Sequence, residues 1–181
     1  MLGPTPILDF DGTITHLPVD WPSLRRRLGI QHILDIWDNH TPSWTAVTKA
    51  EVEAAMISEP LHPVFDELGK IPRFAVVSSN ATVCVRTFFD RFPALGRRVA
   101  LVVGRDELGG PKTDFDRFAR AIWQCAAALE FREAQHSLTY VGNEPYELKF
   151  ARRLGLRTVD AHQFSDTSYG YTGDDTVTTP S

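Results

Sequence analysis

Covalent staples are nearly absent: of 181 residues only two are cysteine, Cys84 and Cys125. Two thiols alone, each in apolar helix-like surroundings, make no disulfide framework and offer no zinc-ligand spacing. Buried free thiols are expected. A basic excess is also missing. The net charge is −4, which leaves no electrostatic footprint for nucleic acid, and none is expected as a partner. No apolar run approaches the roughly 20 residues that cross a bilayer, so no membrane association is expected. The opening "MLGPTP" has neither the basic segment nor the apolar stretch of a secretory leader, and the cytoplasm is the expected location. There is no internal repeat.

What remains is a chain long enough for one domain with a sizeable core and a small insertion. Short β-rich runs fall at Pro6–Phe10, Arg73–Ser78, Arg98–Val103, Ser137–Gly142 and Arg157–Asp160. "FAVVSS", "VALVVG" and "LTYVG" are almost continuously apolar, as parallel strands covered on both faces require. Helical patterns lie between them at Ala81–Arg91, Thr113–Glu130 and Tyr146–Leu154, with Gly155 placed to end the last. This alternation predicts an α/β fold with an open parallel sheet and right-handed crossovers.

The stretch between the first and second strands is far longer than one crossover helix needs. Trp21–Leu28, Gln31–Trp37, Ser43–Ser58 and Leu61–Leu68 read as helices there. Residues 17–59 are expected to form a small helical insertion over the carboxyl ends of the strands, where open α/β sheets bind ligands. The core is then residues 1–16 and 60–164, and the polar stretch 165–181 is expected to be a flexible tail.

Chemistry concentrates at "ILDFDGTIT". Residues i and i+2 of an extended chain share a face, so Asp9 and Asp11 project together, and Gly12 permits a sharp turn. Two adjacent carboxylates repel, each favouring protonation of the other. A divalent cation relieves that conflict, and Mg²⁺ takes one or two carboxylates with phosphate oxygens and water. The plainer alternative has one acid capping a loop and the other solvated.

D-x-D-G-T after an apolar strand resembles the first motif of the haloacid dehalogenase superfamily of aspartyl phosphatases. Three further segments extend the resemblance in order. "FAVVSSN" places Ser79 and Asn80 at the second motif. "GGPKTDFDRF" supplies the third-motif lysine, Lys112, with Thr113 where proline is usual. "LTYVGNEPYELKFARRLG" matches the fourth, with Asn143 at its first acidic position and Glu147 at its second. The resemblance spans Pro6 to about Val159 and implies a Rossmann-like three-layer α/β/α sandwich whose insertion is a small helical cap.

Roles follow as implications of that resemblance. Asp9 is the nucleophile that forms an aspartyl-phosphate, and Asp11 is the general acid and base. Ser79 and Lys112 stabilise the transferring phosphoryl group. Gly12, Thr13, Asn80 and His16 lie around phosphate or substrate. Mg²⁺ is held by Asp9, the Asp11 main-chain carbonyl and oxygens of the fourth motif, from Asn143, Glu147 or Glu144. Alternatives stay open for several residues. Asn80 could cap the following helix, His16 could be a loop residue without a role, and Glu147 could be solvated. Arg25-Arg26-Arg27 reads better as a solvated helix face than as a phosphate site.

The expected activity is Mg²⁺-dependent hydrolysis of a small phosphorylated metabolite by a monomer or homodimer. A weakened phosphate- or protein-binding relative and a phosphotransferase or mutase are the alternatives. Dehalogenation is disfavoured, because an alkyl halide leaving group needs no proton from Asp11.

Overall fold

A computed structural model describes residues 5–31, 36, 42–130 and 138–165. Most of the expected helix Gln31–Trp37 and the tail Asp166–Ser181 lie outside the described residues.

Five strands, β1 (Pro6–Leu8), β2 (Phe74–Val77), β3 (Val99–Val103), β4 (Thr139–Gly142) and β5 (Arg157–Asp160), form one sheet in the order β3-β2-β1-β4-β5. Every pairing is parallel. From β1 the chain builds outward through β2 to β3, then returns to the other side of β1 for β4. That reversal opens a crevice at the carboxyl ends of β1 and β4.

The helices are α1 (Trp21–Leu28), α2 (Pro42–Ala55), α3 (His62–Leu68), α4 (Thr82–Asp90), α5 (Pro93–Gly96), α6 (Arg105–Leu108), α7 (Phe115–Ala128), α8 (Pro145–Arg153) and α9 (His162–Ser165). The single-turn helices α5, α6 and α9 are too short to leave a periodic signal. α7 starts two residues later than its pattern predicts because Asp114 caps it, accepting from the Asp116 and Arg117 amides at 2.9 and 3.2 Å.

Both sheet faces are covered, as the continuous apolar strands require. Ile7, Ala75, Val77 and Tyr140 pack with Phe118, Ile122 and Leu148 on one side. Leu8, Phe74, Val76 and Val141 pack with Val64, Leu68, Val85 and Phe88 on the other. Phe10 joins the second cluster, fully buried and edge-on to Phe88 at 5.4 Å between centroids. Burial of such a ring is worth roughly 1.5–3 kcal/mol. It fixes the residue between the two acids, which turns Asp9 and Asp11 away from this core.

Residues 17–59 divide between two environments. Leu24, Ile36 and Val47 form a small cluster of their own with Trp21 and Trp44 around it. Leu17, Ala54 and Ala55 belong instead to the main core, so the C-terminal half of α2 is packed onto the body. Cys84 and Cys125 are buried free thiols, and burial pushes the Cys125 thiol up to about 12. No helix among the described residues is long and apolar enough to cross a membrane.

Candidate active site

Asp9 is the first residue beyond β1, where its amide still donates to the Val141 carbonyl at 2.8 Å. Its side chain is buried and one oxygen is paired with the Lys112 ammonium. Lys112 approaches from the turn before α7 and lies 2.5 Å from Glu147, which stands in the first turn of α8. Glu147 is held in turn by the Tyr140 hydroxyl at 2.8 Å and the Tyr146 hydroxyl at 3.1 Å. Gly142 makes room for this anchor: a Cβ there would stand 2.8 Å from both Glu147 Oε2 and Tyr140 Cε1.

One ammonium thus serves two buried carboxylates, leaving the trio one negative charge in excess. Burial raises the Asp9 carboxyl most, Lys112 pulls it back and Glu147 adds to the rise, bringing it to about 7. For Lys112, burial opposes the charge, but Asp9 and Glu147 outweigh it and hold the ammonium above the usual lysine range. Burial also keeps the Tyr140 phenol protonated, with Glu147 reinforcing it, so it remains a donor.

Asp11 faces the same crevice with its side chain 26% exposed. Its Oδ1 accepts from the Leu17 amide at 2.9 Å, and His16 Nδ1 lies 3.7 Å away. Burial raises its carboxyl above the ordinary range, opposed by the Leu17 hydrogen bond and by His16. The Thr13 hydroxyl is buried within 3.5 Å of Asp9 Oδ2 and 3.4 Å of Asn143 Oδ1. Gly12 has φ +80°, and a Cβ there would meet the Asn143 amide nitrogen at 2.4 Å. Only glycine lets the fourth-motif side chain lie against the loop after β1.

A cavity of about 550 Å³ opens over these groups, within the range of small-ligand sites. Asp9, Asp11, Ser79, Asn80, Lys112, Asn143, Glu144 and Glu147 all contribute to its lining. Gly12 and Thr13 sit behind it. His16 is exposed and outside the lining, bound to the site only through Asp11.

Two of the alternatives left open are closed. Asn80 does not cap α4, whose N-cap is Ala81; its side chain instead accepts from Ser78 at 3.0 Å and donates to Glu51 at 3.1 Å. Glu147 is buried rather than solvated, its oxygens engaged by Lys112 and the hydroxyls of Tyr140 and Tyr146.

Sequence reasoning missed a buried assembly beside the site. Glu51 on α2 takes a two-pronged ion pair from Arg105, with Nη1–Oε1 at 2.7 Å and Nη2–Oε2 at 3.0 Å. The same carboxylate accepts the Ala81 amide at 3.1 Å, while Arg105 stacks on Trp44 at 4.6 Å and donates to Thr48 at 2.9 Å. Arg105 is therefore committed to Glu51, Thr48 and Trp44. A signal was present: Val47, Glu51, Ala54 and Ala55 share helical spacing and are all buried, so Glu51 is an acid on an apolar stripe.

Among the described residues no group of three or more histidine, cysteine or acidic side chains is spaced to hold a metal. The donors that do converge are Asp9 Oδ2 and Asn143 Oδ1, flanking the Thr13 hydroxyl beside the Gly12 cradle. One carboxylate and one amide oxygen fit a Mg²⁺ ion whose remaining positions go to main-chain, phosphate and water oxygens. Glu144 is exposed at the rim.

No family model and no curated protein matches the chain. Solved structures do. L-2-haloacid dehalogenase from Xanthobacter autotrophicus aligns with a TM-score of 0.60 at 14% identity, over 88% of this chain and 77% of that one. The chain has the haloacid dehalogenase fold. A Clostridium difficile protein assigned as a phosphatase aligns at 0.58 and 16% identity, over 87% of this chain and 84% of its own. A Bacillus subtilis protein assigned as a HAD hydrolase, YfnB, was solved bound to magnesium; it aligns at 0.52 and 12% identity, over 87% and 88%. Hydrolases of more than one chemistry thus share this haloacid dehalogenase architecture, and the reaction has to be argued from the site.

Proposed function

We propose that the protein is a Mg²⁺-dependent phosphatase that hydrolyses a small phosphomonoester through an aspartyl-phosphate. The observation that carries this reading is the second carboxylate. Asp11 opens on the same cavity as Asp9 and keeps its proton more readily than an ordinary aspartate. An alkoxide leaving group needs that proton, whereas a halide does not.

In the first half-reaction an Asp9 oxygen forms a bond to phosphorus as the ester P–O bond breaks. Asp11 hands its proton to the departing oxygen, and the alcohol leaves. In the second, Asp11, now a carboxylate, takes a proton from water, whose oxygen attacks phosphorus and frees Asp9 and inorganic phosphate. One difficult displacement becomes two easier ones. Lys112, anchored by Glu147, supplies fixed positive charge beside Asp9. Ser79, half-buried on the lining, is available to donate to a phosphoryl oxygen. Asp9, Asn143 and the main chain at Asp11 would hold Mg²⁺, which when bound would add charge neutralisation of the phosphoryl oxygens.

Phosphate release from p-nitrophenyl phosphate and a panel of phosphorylated metabolites tests this reading. Turnover with Mg²⁺ that stops with chelator is the expected result. Silence across the panel favours the second reading, a phosphate-binding relative weakened by the neutral Asn143.

A further inference from the structure

The arginine triplet of α1 is split by the fold. Arg26 and Arg27 are exposed, and Arg26 donates to Ser23 at 2.9 Å. Arg25 is half-buried and lines the active-site cavity together with Trp21, one helical turn earlier. Trp21 also packs on the Leu24, Ile36 and Val47 cluster, which fixes this face of α1 over the crevice.

The three cations on the cavity wall differ in how they are satisfied. Lys112 lies between Asp9 and Glu147, and Arg105 is closed on Glu51. Arg25 has no acidic partner among the described residues. It stands on α1, in the stretch between β1 and β2, whereas Asp9 and Asn143, which would handle the transferring phosphoryl group, follow strand ends. A guanidinium that lines a cavity with no carboxylate paired to it is suited to a carboxylate or phosphate arriving with a ligand.

We infer that Arg25 is a specificity residue that binds a second anionic group on the leaving-group side of the substrate, with Trp21 as the adjacent wall. This rests on the phosphatase reading for the orientation of the substrate. The class it names is narrower: small phosphomonoesters whose alcohol part carries a carboxylate or a further phosphate. A neutral alcohol part leaves Arg25 unpaired. An anionic one meets it in a partly water-excluded cavity, where the charge pair is stronger than in bulk water.

Binding tests the inference without requiring turnover. ω-Phosphonocarboxylates with one to three methylenes are compared by calorimetry with alkylphosphonates of equal length, using wild type, Arg25→Gln and Arg25→Lys. Wild type should bind at least one phosphonocarboxylate about tenfold more tightly than its neutral counterpart. Arg25→Gln, which keeps the packed stem, should bring that preference to about one, and Arg25→Lys should restore part of it. A preference that survives in Arg25→Gln overturns the inference, as does equal binding of both series by wild type. Failure of both series to bind removes the phosphate floor and the inference with it. A charge preference lost in Arg25→Gln in a protein that hydrolyses no monoester upholds the subsite and rejects the phosphatase reading.

Discussion

Replacing Glu51 with leucine strips the buried Arg105 guanidinium of its counter-ion. Arg105 and Glu51 have side-chain exposures of 2% and 1%, so water cannot take the carboxylate's place. Removing one partner of such a pair costs about 3–5 kcal/mol, since the other charge stays buried and uncompensated. The Ala81 amide and the Asn80 amide group lose their acceptor in the same step, so the upper part of that range is expected. For a chain of this size each kcal/mol moves the melting temperature by about 2–4 °C, giving a fall of about 10 °C or more. Equilibrium urea unfolding of Glu51→Leu reads the free energy directly. The double variant Glu51→Leu with Arg105→Met should recover most of the loss, because apolar replacement of a whole buried pair is often neutral or stabilising. A single variant within about 1 kcal/mol of wild type, or a double variant less stable than the single, would refute a closed Glu51–Arg105 pair.

Three other outcomes follow from the site. Asp9 is raised from 3.8 to about 7, so the native state holds a proton that the unfolded chain releases across this interval. The associated stability is full below the lower value and is lost as pH rises through the higher one; melting curves of metal-free protein should show this fall, and Asp9→Asn should flatten it. Asp11→Asn should lower turnover of an alkyl phosphate by about 10²–10⁴-fold and cost less with a nitrophenyl leaving group, measured by steady-state kinetics. Asn143→Asp should lower the Mg²⁺ concentration needed for half-maximal activity, because a carboxylate replaces an amide oxygen toward a hard cation; an unchanged titration would remove residue 143 from the ligand set.

Much of the sheet was legible because its strands are buried on both faces and read as continuous apolar runs. "FAVV" and "TYVG" locate β2 and β4 in full, and both acids of "DFDGT" line the cavity beyond β1. Glu147 was correctly placed at the start of α8, but its partners were not. Lys112 reaches it from the turn before α7 and Tyr140 from β4, across a change from strand to helix, and periodic spacing carries no record of either meeting. The same holds for Glu51 and Arg105, 54 residues apart. Of the two roles left open for Asn80, the helix cap is the one the structure does not use. The cap position falls one residue later, at Ala81, and the Asn80 carboxamide is tied to Ser78 and to Glu51, a partner from α2 that local sequence does not reveal.

The central claim is a covalent phosphoryl group on Asp9. Rapid quenching of Asp11→Asn with p-nitrophenyl phosphate and Mg²⁺, followed by peptide mass spectrometry, tests it most directly. The account predicts one added phosphoryl group on the peptide bearing Asp9, lost on treatment with hydroxylamine and absent from Asp9→Asn. Turnover without any adduct at Asp9, or wild-type turnover by Asp9→Asn, would contradict it.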